Sequence, residues 1–119
     1  MATKAEVRQR VGENLGLVPI GQTLESQDQM RIDAAYVEVY EHLKEKGLAT
    51  WASTGDVPTK LVPSFCLLIA QKLLISYSVP ESRYLRINTD AGIDGTVALR
   101  LLAELSIQEY EPLSGATDY

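Results

Sequence analysis

The chain has 119 residues, 45% of them apolar and 23% charged, which suits one globular domain and excludes a disordered polyelectrolyte. Its 16 acidic side chains outnumber its 11 basic ones, for a net charge of -5. That argues against wrapping a polyanion, whose affinity comes largely from Lys and Arg neutralising phosphates. A single cysteine, Cys66, excludes an intrachain disulfide, and a domain of this size buries roughly two-thirds of its unfolded surface without such staples.

The N-terminal residues carry no apolar signal-like run, so no signal peptide is expected. Thr3 followed by Glu6 is a capping-box pattern that predicts a helix from about Lys4. Val7, Val11 and Leu15 form its apolar stripe, and Gly16 is placed to end it in a left-handed conformation. Residues 17–21 then read as a loop whose apolar members tuck against the core. A second capping box, Ser26 with Gln29, predicts a helix over about 27–46. Ile32, Tyr36, Val39 and Leu43 recur at helical spacing on one side, and Glu38, Glu41 and Glu45 lie on the other. Lys44 and Lys46 complement the dipole of the last turn before Gly47.

Residues 48–57 have neither helical period nor charge until Asp56 and are expected to form an extended connector or a small hairpin. Trp51 within them is either an anchor closing this loop onto helices two and three or an exposed binding residue. From about Val62 to Tyr77 the chain is apolar nearly all round, interrupted mainly by Ser64, Gln71, Lys72 and Ser76. Such a helix belongs at the centre of a domain. Its polar breaks leave it short of the ~20 apolar residues of a membrane span, so a soluble chain is expected. Pro80-Glu81-Ser82 can open the last helical region. Gly92 and Gly95 leave two versions of that region: one helix over about 81–105 with a soft middle, or a short turn followed by a helix from about 95. After Arg100 no Lys or Arg occurs, while Glu104, Glu109, Glu111 and Asp118 follow. Together these features predict an all-α fold, a small bundle of about four helices over 1–105 with a flexible arm over 106–119.

No catalytic, metal-binding or cofactor-binding constellation emerges. His42 is the only histidine and lacks partner ligands. The stretch beginning Asn88-Thr89-Asp90 fails as a calcium loop, since its fifth position is Gly92 and its twelfth is Leu99. Ser64 lacks a nucleophile-elbow context and Cys66 lacks a basic neighbour, so both read as packing residues. The chain is therefore read as a non-enzyme that binds other proteins. Lys4, Arg8 and Arg10 give helix one a basic side that invites comparison with a helix-turn-helix, but the second helix, which would enter the groove, is acidic.

The order of elements is familiar. A helix beginning Glu6-Val7-Arg8-Gln9-Arg10-Val11 ends in Leu15-Gly16, and a loop with Leu24 leads to a long helix ending Glu45-Lys46-Gly47-Leu48. A Trp-containing segment, an apolar helix and a helix opening at Pro80-Glu81 follow. Over about 4–105 this resembles the head-to-tail adaptor proteins of tailed bacteriophages, also called head-completion proteins or tail accessory factors, above all those of short-tailed phages. The glycine-containing stretch 88–95 departs from the family's last helix, and the tail is shorter than in some members.

The resemblance implies a virion protein of the neck, assembled in the host cytoplasm. Such adaptors form a ring, typically dodecameric, beneath the portal protein, seal the DNA exit channel and present the platform for a tail nozzle or hub. Packaged DNA passes through without sequence-specific binding. On this reading, Lys4, Arg8 and Arg10 of one copy are expected to meet Glu38, Glu41 and Glu45 of the next, with Trp51 a further partner-binding residue. Tyr110, Leu113 and Tyr119 of the arm are expected to anchor on the portal. The alternatives are a helical interaction or regulatory module of another kind and, behind it, a DNA-binding regulator.

Overall fold

The structure is a computed structural model that describes residues 2–49, 51–52, 55–74, 76–77 and 79–105. The chain is all-α. It contains α1 (Lys4–Leu15), α2 (Ser26–Glu45), α3 (Val62–Leu73, entered through a short 3-10 turn at Thr59–Leu61), α4 (Glu81–Ala91) and, after a 3-10 turn at Ile93–Gly95, a helix α5 through 96–105. The fold class is as expected, with five helices among the described residues in place of about four.

The ends of α1 and α2 show how local chemistry sets the boundaries. The Thr3 hydroxyl accepts from the Glu6 main-chain N–H at 3.2 Å, while the Glu6 carboxylate accepts from the Thr3 N–H at 3.2 Å. Two N–H groups that the first turn leaves without partners are satisfied in this way. At the far end Gly16 is left-handed, and the Leu17 and Gly16 N–H groups reach back to the carbonyls of Gly12 and Glu13. Gly47 repeats this closure after α2, with Leu48 bonded to Leu43 and Gly47 to Lys44, a Schellman geometry. The start of α2 departs from the expected capping box. Glu25, not Ser26, is the N-cap and its side chain makes no capping bond. Gln29 instead donates to the Leu24 carbonyl at 2.9 Å, which fastens the incoming loop as Leu24 enters the core.

α3 lies at the centre and packs against α1, α2 and α4. Val62, Ser64, Phe65, Cys66, Ile69, Ala70 and Leu73 are buried on several sides of it, as its nearly continuous apolar sequence demands. The stripes of the flanking helices close on it: Val7, Val11 and Leu15 from α1, and Ile32, Tyr36, Val39 and Leu43 from α2. Each such side chain contributes about 1.5–3 kcal/mol relative to an exposed position.

The segment between α2 and α3 is an extended connector in its described part. An isolated antiparallel bridge joins Val57 to Ala2 through two main-chain bonds of 2.9 and 2.8 Å. Trp51 settles which of its two readings holds. It is 7% exposed and stacks edge-on against Tyr40 of α2 at 5.7 Å and Phe65 of α3 at 5.2 Å. It is the anchor of the loop, so its ring is not open to a partner.

The last helical region combines the two expected versions: a helix opens at Glu81, as in the first, and a short turn leads into a helix from about 95, as in the second. α4 stops at Ala91, where Gly92 adopts φ 83° and ψ 173°, and α5 resumes after Gly95. The Gln71 amide of α3 holds the break, donating to the Gly92 carbonyl at 2.8 Å and to the Asn88 side-chain oxygen at 3.1 Å.

Candidate partner-binding site

Among the described residues no group of His, Cys, Asp and Glu is arranged to hold a metal ion. Two of the nucleophile candidates are sealed in the core. Burial pushes the Cys66 thiol up to about 12, so it is protonated and unreactive near neutrality. Ser64 is buried beside it. His42 is exposed on α2, one turn from Glu38.

The charged residues expected to meet a neighbour divide into engaged and free. Arg8 donates through one guanidinium nitrogen to both Asp33 oxygens, at 3.0 and 3.3 Å. The Lys4 ammonium sits 5.1 Å from the centre of the Tyr36 ring, a cation–π distance. Both therefore serve the α1–α2 junction. Glu38 pairs with Lys72 of α3 at 3.0 Å. Arg10, Glu41 and Glu45 are exposed and make no ion pair among the described residues. The arm residues Tyr110, Leu113 and Tyr119 lie outside the described residues.

Two clefts flank α4, and both draw on residues that sequence reasoning did not single out. The first, of about 520 Å³, is bounded by Arg10 and Glu13 of α1, Val18–Ile20 of the following loop, Pro63 and Leu67 of α3, and Arg83, Arg86 and Asp90 of α4. Arg83 reaches across to the Glu13 and Asn14 carbonyls at 3.4 and 3.3 Å, placing its cation at the C-terminal end of α1, where the helix dipole favours it. Glu13 is held by Gln9 at 2.9 Å and by the Gly21 N–H at 3.1 Å. These bonds, that from Gln9 foremost, keep its carboxyl below the usual range. Arg86 lies 4.0 Å from Asp90.

The second cleft, of about 610 Å³, lies among α2, α3, α4 and the turn before α5. Val39, Leu68, Leu74, Tyr84, Ile93 and Leu99 line it, and Glu38, His42 and Lys72 edge it. Apolar side chains also stand free beside both clefts: Ile20 is 89% exposed and Ile93 83%. Isolated exposed apolar residues are ordinary, but such residues beside open clefts mark surfaces suited to protein contacts. The signal in the sequence was Ile20 and Ile93 standing next to Gly21 and Gly92, where the chain turns and a side chain is held away from the core.

No helix in the described residues is long and apolar enough to cross a membrane. No protein-family model, curated protein or solved structure matches the chain.

Proposed function

We propose that this chain is a head-to-tail adaptor of a tailed bacteriophage, a structural virion protein that binds beneath the portal as a ring, closes the DNA exit channel and forms the platform for the tail. The observation that carries the reading is the ordered resemblance over about 4–105, from the Leu15-Gly16 helix end through Glu45-Lys46-Gly47-Leu48 to Pro80-Glu81. The all-α fold, the exposed acids of α2 and the two open clefts are compatible with it. An acidic surface also suits a DNA channel, because it repels the genome rather than retaining it. The partners on this reading are the portal protein, a tail nozzle or hub, and further copies of the chain, with no cofactor and no catalytic role.

The test is analytical ultracentrifugation of the chain alone and mixed with the portal protein encoded nearest its gene. Co-sedimentation with the portal ring in saturating multiples is the expected outcome. No binding at micromolar concentrations removes the adaptor reading and leaves a helical interaction module with another partner. Salt-sensitive retention on DNA instead marks a nucleic-acid binder.

A further inference from the structure

The first cleft, between α1 and α4, carries positive charge that the described residues hold in place without neutralising. Arg83 donates through one guanidinium nitrogen to the main-chain carbonyls of Glu13 and Asn14. Those acceptors are neutral, so the bonds orient the guanidinium and leave its charge uncancelled. A Cβ at Gly16 would meet the Arg83 Nε at 2.9 Å, so the glycine that ends α1 also makes room for this side chain. Arg86 reaches Asp90 only at 4.0 Å, with both side chains more than half in water, where an ion pair is heavily screened. Arg10 is exposed and makes no ion pair among the described residues. Glu13, the other carboxylate of the cleft, takes its bonds from the Gln9 amide and the Gly21 N–H. Val18, Pro63, Leu67 and Ile87 add an apolar lining. Arginines around apolar side chains suit an acidic peptide that carries apolar residues of its own.

The chain carries such a peptide. The segment 106–119, outside the described residues, holds Glu109, Glu111 and Asp118 without a Lys or Arg, interspersed with Ile107, Tyr110, Leu113 and Tyr119. It starts close to the cleft. Leu99 of α5 lines the second cleft and Leu105 packs against the core, about 9 Å apart along the helix. The first cleft lies across α4, roughly one helix diameter of 10–12 Å farther. The segment spans up to about 46 Å when extended, so it reaches the arginines with slack. The second cleft, edged by Glu38, offers an acidic segment no such complement. We infer that 106–119 docks onto its own chain, its carboxylates against Arg10, Arg83 and Arg86 and an apolar side chain in the cleft between α1 and α4. A tether this short supplies about millimolar effective concentration, which favours the chain's own segment over that of another copy. The contact asks nothing of a portal and goes beyond the adaptor reading. One consequence rests on that reading: docking withholds Tyr110 and Leu113 from the portal in the free chain.

Intramolecular cross-linking of the full chain tests it. Ser114→Cys is combined in turn with Ile20→Cys at the first cleft, Met30→Cys on α2 and Ile93→Cys at the second cleft. These three sites are exposed, and the native Cys66 is buried. Dilute samples are treated with a short bismaleimide, and closed monomers are measured by mass spectrometry. Closure at Ile20 is expected to exceed closure at the other two sites severalfold and to fall as salt rises. Arg10→Glu with Arg86→Glu should lower it to the Met30 level. Glu109→Lys, Glu111→Lys and Asp118→Lys together should do the same, and the two sets combined should restore it. Equal closure at all three sites, preferred closure at Ile93, or a combined variant that stays low overturns the inference. So do cross-linked dimers that grow with concentration at the expense of closed monomers, because they assign the segment to another copy. Preferred closure at Ile20 without portal co-sedimentation keeps this inference and removes the adaptor reading, whereas portal binding without preferred closure does the reverse.

Discussion

The Tyr40 hydroxyl donates to the Trp51 main-chain carbonyl at 2.7 Å in a buried setting, and the two rings meet edge-on at 65°. One side chain of α2 thus fixes both the backbone and the ring of the connector that follows it. Phe65 closes the other side of Trp51 and also packs edge-on against Tyr36 at 5.0 Å. These four rings join α2, the connector and α3 into one unit.

Removing that anchor should be costly. Trp51→Ala is expected to destabilise the chain by about 3–5 kcal/mol, the range for deleting a large buried aromatic. Tyr40→Phe keeps the ring but orphans the carbonyl, at about 1–3 kcal/mol. Urea titrations followed by circular dichroism check both. A loss below about 1 kcal/mol for Trp51→Ala would show that the connector is not held through its ring.

Tyr36 gives the opposite expectation. Its hydroxyl and the Trp51 indole N–H are buried near one another, but neither makes a hydrogen bond of good geometry among the described residues. Burial also raises the Tyr36 phenol above its usual range. Tyr36→Phe removes an unsatisfied polar atom and keeps the ring contacts, so stability should stay within about 0.5 kcal/mol or rise. A clear loss of thermal stability would mean that this hydroxyl has a partner in solution.

Gly47 and Gly92, both at positive φ, should respond differently to alanine. At Gly47 a Cβ meets nothing within 4 Å, so only the backbone strain of about 1 kcal/mol applies. At Gly92 the φ and ψ lie in a region open almost only to glycine, and a Cβ would come 2.6 Å from a Val97 methyl and 2.8 Å from the Val97 nitrogen. Gly92→Ala should therefore cost about 3 kcal/mol or more. Denaturant midpoints of the two variants compare them directly, and equal midpoints would contradict the geometry of the α4–α5 break.

Cys66 predicts an alkaline effect with a definite sign. Its folded pKa is raised by burial to about 12 from an unfolded value of 9.0. Its contribution is therefore complete below the unfolded value and is lost as pH rises from there through the folded one. The destabilisation caused by Cys66→Ala should be largest near neutrality and shrink above pH 9.0. Urea unfolding of both proteins on either side of that pH measures it. In the native protein the thiol should react with a maleimide only as fast as the chain opens.

Much of this protein is determined locally and is legible in its sequence. Thr3 with Glu6 starts α1, Gly16 and Gly47 end helices, and the spacing of Ile32, Tyr36, Val39 and Leu43 defines the buried face of α2, because these effects act between residues within a few positions of each other. The all-apolar run around Phe65 likewise dictates a central helix. Where pattern alone did not decide, groups near and far competed for the same atoms. Ser26 lost its capping role as Glu25 took the N-cap position and Gln29 turned to the Leu24 carbonyl. The α4–α5 break depends on Gln71, which lies about twenty positions from Gly92 in sequence but bonds to it in space. The fates of the charges were equally hidden. Only the packing of α1 against α2 assigns Arg8 to Asp33, and only the crossing of α4 over α3 gathers Arg10, Arg83 and Arg86 beside Ile20. Helical periodicity records which face of a segment is apolar, but a surface built from several helices exists only once their packing has chosen which faces meet.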